Sequence, residues 1–136
     1  MMNHSSEIQK TFSIQNGVKI YDFPKCINAL ENLGRYHFGY QFKIHEKDIP
    51  VIKKLIIYAI RDKEMAAAMN INIDKGIILS GPVGCGKTSL MFLLNYFFQQ
   101  GYNYKIKPCR DIAFEFASKG YDALNLFTKT EAKQTK

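Results

Sequence analysis

Residues 81–88 combine the side chains that hold a polyphosphate. They read Gly-Pro-Val-Gly-Cys-Gly-Lys-Thr and fit the spacing G-x-x-x-x-G-K-T/S. Glycines let the backbone wrap tightly with its N–H groups turned inward, and a helix that begins near Lys87 aims its positive dipole end at the same place. The Lys87 ammonium is then placed for the β- and γ-phosphates, and the Thr88 hydroxyl for Mg²⁺. The spacing therefore predicts a site for ATP and Mg²⁺.

The predicted cofactor contacts extend one residue past this pattern, and no residue is predicted to be catalytic. The nucleotide-binding residues are predicted to be Gly81, Pro82, Val83, Gly84, Cys85, Gly86, Lys87, Thr88 and Ser89, with Thr88 also the metal ligand. Cys85 occupies a variable position, where a small side chain fits because the backbone does the binding. A chance glycine-rich turn is the alternative interpretation, and the flanking pattern argues against it.

The stretches around the loop predict an α/β fold. Residues 76–80, GIILS, are an apolar run typical of a buried strand, and SLMFLLNYFF after the loop predicts a helix that is apolar on nearly every side. We expect Gly101 to end that helix, residues 103–107 to form a second strand, and a last helix to lie between Arg110 and Gly120. The order strand, loop, helix, strand, helix indicates parallel strands.

The residues before the loop predict a hairpin and two helices. Residues 12–20, FSIQNGVKI, alternate around Asn16-Gly17, which favours a two-residue hairpin turn, although a partly ordered lead-in segment is an equal alternative. A first helix follows Pro24, with Gly34 as its expected stop. Asp48 is expected to cap a second helix over residues 49–62, whose apolar residues repeat at i, i+3 and i+4.

Composition places the protein among cytoplasmic globular proteins. The 136 residues carry a formal charge of +7 without a basic block, which supports a nucleic-acid partner only weakly. Three cysteines far apart indicate neither a disulfide framework nor a zinc site. A polar N-terminus and the shortness of the longest apolar run, LIIYAI, predict no membrane contact.

The stretch KGIILSGPVGCGKTSLM resembles the first strand, Walker A loop and first helix of AAA+ ATPases, particularly the DnaC-like and IstB-like group of helicase loaders and transposition helpers. The similarity extends from the helix at 49–62 to RDIAFEF. It implies a P-loop parallel-sheet core over residues 48–136, truncated after the second strand and helix and preceded by an N-terminal segment, residues 1–47. In that family's strand order, 5-1-4-3-2, the strands at 76–80 and 103–107 are not neighbours. The family's adenine pocket implies base contacts from Phe42 and Ile44, for which core packing is the alternative.

The same resemblance implies elements that this sequence lacks. The family's third strand carries the Walker B acids, and later elements carry sensor residues and an arginine finger. The one hydrophobic-then-acidic stretch, IAFE at 112–115, is predicted to be helical because it lies between Arg110-Asp111 and Gly120. We therefore expect a nucleotide-binding N-terminal portion of a AAA+ ATPase, either a fragment or a truncated copy.

Two functions follow as hypotheses. The first is the ATP-binding portion of a AAA+ ATPase that assists DNA replication or a mobile element, for which the family implies a homo-oligomer and a DNA, helicase or transposase partner. The second is a truncated nucleotide-binding or interaction module without hydrolysis. A small nucleotide kinase shares the loop but requires lid arginines, and the sequence offers Arg35, Arg61 and Arg110.

Overall fold

The computed structural model describes residues 3–128, which fall into two compact units that divide between Asn103 and Tyr104. In the first unit the elements are α1 (His4–Gln9), β1 (Phe12–Gln15), β2 (Val18–Tyr21), α2 (Phe23–Phe38), a 3₁₀ helix (Glu46–Asp48), α3 (Ile49–Ile60), α4 (Lys63–Ala68), α5 (Lys87–Leu94) and a second 3₁₀ helix (Asn95–Phe97). In the second unit they are α6 (Cys109–Lys119) and α7 (Asp122–Thr128).

The predicted hairpin is confirmed. Strands β1 and β2 pair antiparallel, with Phe12 opposite Tyr21 and Gln15 opposite Val18. The two residues of the turn, Asn16 and Gly17, have φ angles of 51° and 77°. This left-handed pair is the geometry that an Asn-Gly turn provides.

Helix α2 is longer than predicted, and Gly34 as its stop is wrong. The helix begins after Asp22, whose carboxylate accepts a hydrogen bond from the Lys25 backbone N–H at 3.2 Å. It continues through a buried Gly34 and ends at Gly39, where φ is 101°. The Phe42 ring lies directly against Gly34, so this position has no room for a side chain. Glycine therefore serves here to admit the ring, not to end the helix.

One apolar core joins α2, α3 and α5. Its fully buried members include Leu30 and Leu33 from α2, Ile56 from α3, and Leu93 and Leu94 from α5. This core contains residues from both sides of the predicted boundary between residues 47 and 48. The division between compact units lies after Asn103, and the predicted boundary stays a prediction.

Helix α3 forms as predicted, but without the predicted cap. Pro50 lies in its first turn, and Arg61 ends the helix in the left-handed conformation with φ of 57°. The Asp48 side chain makes no capping hydrogen bond. Its backbone, with φ of −92° and ψ of −15°, belongs to the preceding 3₁₀ turn instead of the extended region that an N-cap residue normally adopts.

The region after residue 75 contains more extended chain and less helix than the pattern predicted. Residues 76–80 and 102–108 have no strand partner within the described chain, whose sheet is the two-stranded hairpin. Helix α5 ends at Leu94 and a 3₁₀ turn follows, so the prediction that Gly101 ends this helix is wrong. Gly101 has a φ of 92° and lies in a later turn, where the Tyr102 N–H donates to the Gln99 carbonyl at 3.0 Å. The parallel sheet stays a prediction.

The predicted last helix is confirmed as α6. It contains the IAFE stretch and ends at Gly120, whose φ is 60° and whose N–H donates to the Phe116 carbonyl at 2.7 Å. Within residues 3–128, none of the helices combines the length and the apolar character that crossing a bilayer requires.

Candidate nucleotide-binding site

The glycine-rich loop adopts a backbone that depends on glycine. Gly84 and Gly86 have φ angles of 80° and 83°, and a Cβ at either position would meet no atom within 4 Å. The requirement at both positions is therefore for left-handed backbone rather than for space. Helix α5 begins immediately after Gly86, so the amide groups of its first turn, which have no partner within the helix, lie next to the loop.

Lys87 folds back over the loop that precedes it. Its ammonium group donates to the Gly81 carbonyl at 2.8 Å and to the Pro82 carbonyl at 2.6 Å, and lies 3.5 Å from the Cys85 sulfur. The two carbonyls are neutral, so they hold the lysine charge at the loop without neutralising it. An anion bound there would be attracted by the ammonium group.

Cys85 and Gly81 approach each other across the loop. A Cβ built on Gly81 would lie 3.2 Å from the Cys85 sulfur, which is tighter than ordinary contact. A side chain at position 81 would therefore push the thiol or the loop outward. Glycine is therefore favoured at position 81 by the lack of space for a side chain, whereas Gly84 and Gly86 are favoured by their left-handed backbone.

The loop forms one wall of a cavity of about 680 Å³, which is within the usual size range of small-molecule sites. The other wall comes from the segment that leads into α3 and from the first turn of α3. Its residues are Phe42, Lys43, Ile44, His45, Lys47, Asp48, Val51 and Ile52, and Leu79, Ser80 and Leu90 complete the lining.

The charged groups around the cavity are mostly positive. Lys43, Lys47 and Lys87 line it together with one carboxylate, that of Asp48. The lysine at the loop and the two lysines on the other wall outnumber the one carboxylate, so the net charge around the cavity is positive. This charge favours an anionic ligand over a neutral or cationic one.

Most of the predicted contact residues lie at this cavity. They are Gly81, Pro82, Gly84, Cys85, Gly86, Lys87 and Ser89. Val83 and Thr88 are exposed and do not line it. Within the described residues, no group of three His, Cys, Asp or Glu side chains is placed to hold a metal ion. The role of Thr88 as a Mg²⁺ ligand stays a prediction.

Phe42 and Ile44, the predicted base contacts, both line the cavity. They are half-buried and alternate with the exposed Lys43 and His45. Both also pack against the main core, so the packing role and the lining role coexist.

The sequence prediction did not include Lys43, His45 and Lys47 as cavity residues. The signal that could have found Lys43 and His45 was this alternation, since apolar residues facing the core every second position force the intervening side chains outward. Lys47 lies in the 3₁₀ helix and has no such signal.

No protein-family model, curated protein or solved structure matches this chain. The assignment of the site therefore depends on its own residues and geometry, with the resemblance of the loop to the Walker A sequence beside them.

Proposed function

We propose that this cavity binds ATP and ADP with Mg²⁺. One observation carries the proposal. A loop with two left-handed glycines leads directly into α5 at Lys87, and it lines a cavity of about 680 Å³ whose other wall carries Phe42 and Ile44. A polyphosphate needs donors and positive field, and a base needs an apolar surface. Both lie around a single cavity.

The phosphate end would be held by the loop. The Lys87 ammonium would exchange the Gly81 and Pro82 carbonyls for phosphate oxygens, which are charged acceptors and so form stronger hydrogen bonds. The amide groups at the start of α5 would supply further donors. The Thr88 hydroxyl is the protein group proposed to hold Mg²⁺. The ion would offset phosphate charge, and phosphate and water oxygens would be its other ligands, because Mg²⁺ prefers oxygen.

The wider assignment follows from the resemblance. We propose that the chain is the ATP-binding portion of a AAA+ type ATPase with a parallel P-loop sheet. It would act as a homo-oligomer in helicase loading or on a mobile element. Its partner would be DNA, a helicase or a transposase. A cytoplasmic location belongs to the same proposal. The thiols of Cys26, Cys85 and Cys109 are free, which supports a reducing compartment.

Titration calorimetry with ATP and ADP, with and without Mg²⁺, tests the binding. We expect Lys87→Ala to weaken ATP binding about 10- to 150-fold, because a charge-assisted hydrogen bond contributes about 1.5–3 kcal/mol. Lys54→Ala is the matched control: it removes the same charge from an exposed position on α3 that does not line the cavity. Equal affinity of the Lys87→Ala variant and the unmodified chain would disprove the site.

A phosphate-release assay tests whether this chain carries a complete ATPase site. Asp48 is the one carboxylate among the described residues that line the cavity, and it belongs to the 3₁₀ turn before α3, not to the glycine-rich loop. Because activation of water requires positioned acids beside the phosphates, we expect binding without measurable hydrolysis by this chain. Turnover that disappears in the Lys87→Ala variant would instead indicate a complete ATPase site.

A further inference from the structure

The wall that carries Phe42 and Ile44 has no regular secondary structure of its own. Residues 40–45 lie between the end of α2 and the 3₁₀ helix at Glu46–Asp48, and a turn in which the Phe42 N–H donates to the Gly39 carbonyl at 3.0 Å begins the segment. Other contacts must therefore fix its direction. Besides core packing and a ring contact between Phe38 and Phe42, the structure shows three such contacts from one face of α2.

Two of these contacts are polar and involve a pair of opposite charges. The Glu31 carboxylate accepts a hydrogen bond from the Ile44 backbone N–H at 3.1 Å. The Arg35 side chain donates through Nε to the Phe42 carbonyl at 3.4 Å. Arg35 also forms an ion pair with Glu31, one helical turn away. The two side chains thus hold each other and the backbone on both sides of Lys43.

The third contact is steric. Gly34 lies between Glu31 and Arg35 on α2, is buried, and has ordinary helical backbone. Alanine would favour the helix at such a position. An alanine Cβ, however, would lie 2.2 Å from two carbon atoms of the Phe42 ring, so the ring must move. Glycine is required here by the position of Phe42.

We propose that Glu31, Gly34 and Arg35 are positioning residues for the base of the nucleotide. They hold Phe42 and Ile44 at the cavity without lining it themselves. The inference depends on the proposed function. It adds that residues of α2 determine how tightly the base is bound, while residues of the loop determine how tightly the phosphates are bound. Changes on α2 should therefore weaken binding of ATP and leave binding of a bare polyphosphate unchanged.

The test compares ATP with inorganic tripolyphosphate, both with Mg²⁺, by titration calorimetry on the full chain. We expect Gly34→Ala and Glu31→Ala to weaken ATP binding about tenfold, the order expected for one lost hydrogen bond or a displaced ring, and to change tripolyphosphate binding less than about twofold. Glu31→Gln retains an acceptor for the Ile44 N–H and should recover most of the loss. Lys87→Ala should weaken both ligands.

Two controls match these variants. Glu7→Ala removes an ion pair with Lys10 and the acceptor of a hydrogen bond donated by Asn32 of α2, without touching residues 42–44. Gly76→Ala adds a methyl group where no atom lies within 4 Å. Neither should change the affinity ratio of the two ligands. A misfolded variant would lose tripolyphosphate binding as well, so the ratio separates positioning from loss of the fold.

A double-mutant cycle identifies the contact that acts. If Gly34→Ala works by displacing the Phe42 ring, it should have little effect on ATP binding in a Phe42→Leu background. Equal loss of ATP and tripolyphosphate affinity in the α2 variants, or no loss, would overturn the inference while the Lys87 result leaves the proposed function standing. Failure of the unmodified chain to bind either ligand would overturn both.

Discussion

Helix α3 and the extended segment at residues 76–80 are both rich in isoleucine and leucine, yet their surroundings differ. In α3, Ile56 and Ile57 are fully buried. In the extended segment, Ile78 is 96% exposed, and Leu79 is the residue that packs against the core. A helix satisfies its own N–H and C=O groups and needs cover on one face only, whereas a strand needs a neighbouring strand for its backbone as well. An apolar run therefore specifies burial of a helix more directly than burial of a strand.

Amide hydrogen exchange would show the largest difference between the two regions. Within the described chain, no backbone hydrogen bond is donated by the amides of residues 77–79, while those of Ile56 to Ile60 lie inside α3. We expect the amides of residues 77–79 to exchange at least about a thousandfold faster, because core helices open only with free energies near that of global unfolding. Measurement by NMR or mass spectrometry resolves the two segments.

Slow exchange at residues 77–79 would contradict this contrast. It would indicate that these amides pair with another strand in solution, for instance in a second copy of the chain. Residues 90–94 provide an internal reference, since α5 follows the same loop and these amides donate its helical hydrogen bonds.

Side-chain truncation should separate the two regions next. Leu93 of α5 is fully buried in the main core, so we expect Leu93→Ala to lower the free energy of unfolding by about 2–5 kcal/mol. Ile78→Ala removes a side chain that is 96% exposed and should change it by less than about 0.5 kcal/mol. Urea denaturation followed by circular dichroism measures both variants.

Similar losses in these two variants would contradict the assignment of the core to the helices. A large loss for Ile78→Ala in particular would mean that this residue is covered in solution. Val51→Ala, at a half-exposed position of α3 that lines the cavity, provides a control within the helical region.

The sequence predicted best what neighbouring residues decide. The hairpin follows from Asn16-Gly17 and helix α3 from its apolar spacing, since both depend on local backbone preference. The Gly34 stop and the Asp48 cap were wrong because contacts outside the helical pattern decide both: the Phe42 ring lies against Gly34, and Asp48 belongs to the 3₁₀ turn before α3. For the site, spacing located the loop, but the cations at Lys43 and Lys47 required knowledge of which face of their segment meets the core.

The smallest effect we expect is a pH dependence confined to the helical region. His37 of α2 contacts Tyr96, with 2.8 Å between Nε2 and the tyrosine hydroxyl, and its ring centre lies 5.2 Å from that of His4 on α1. The ring centre of Tyr36 lies 5.0 Å away and that of Phe92 4.9 Å away. Loss of hydration, and then the nearby His4 ring, lower the pKa of His37 below its ordinary value of 6.5. Residues 76–80 contain no titratable side chain.

A lowered histidine pKa means that the unfolded chain binds the proton more readily than the folded chain does. The free energy of unfolding should therefore fall as the pH drops below about 6.5. Urea denaturation at several values between pH 7 and pH 5.5 measures the slope, which we expect to be smaller for His37→Asn than for the unmodified chain. The slope, not the absolute stability, is the test, because His37→Asn also removes the hydrogen bond with Tyr96. An unaltered slope in the His37→Asn variant would show that another group senses the acid, and that the contact between α1, α2 and the turn at Tyr96 does not depend on a neutral histidine.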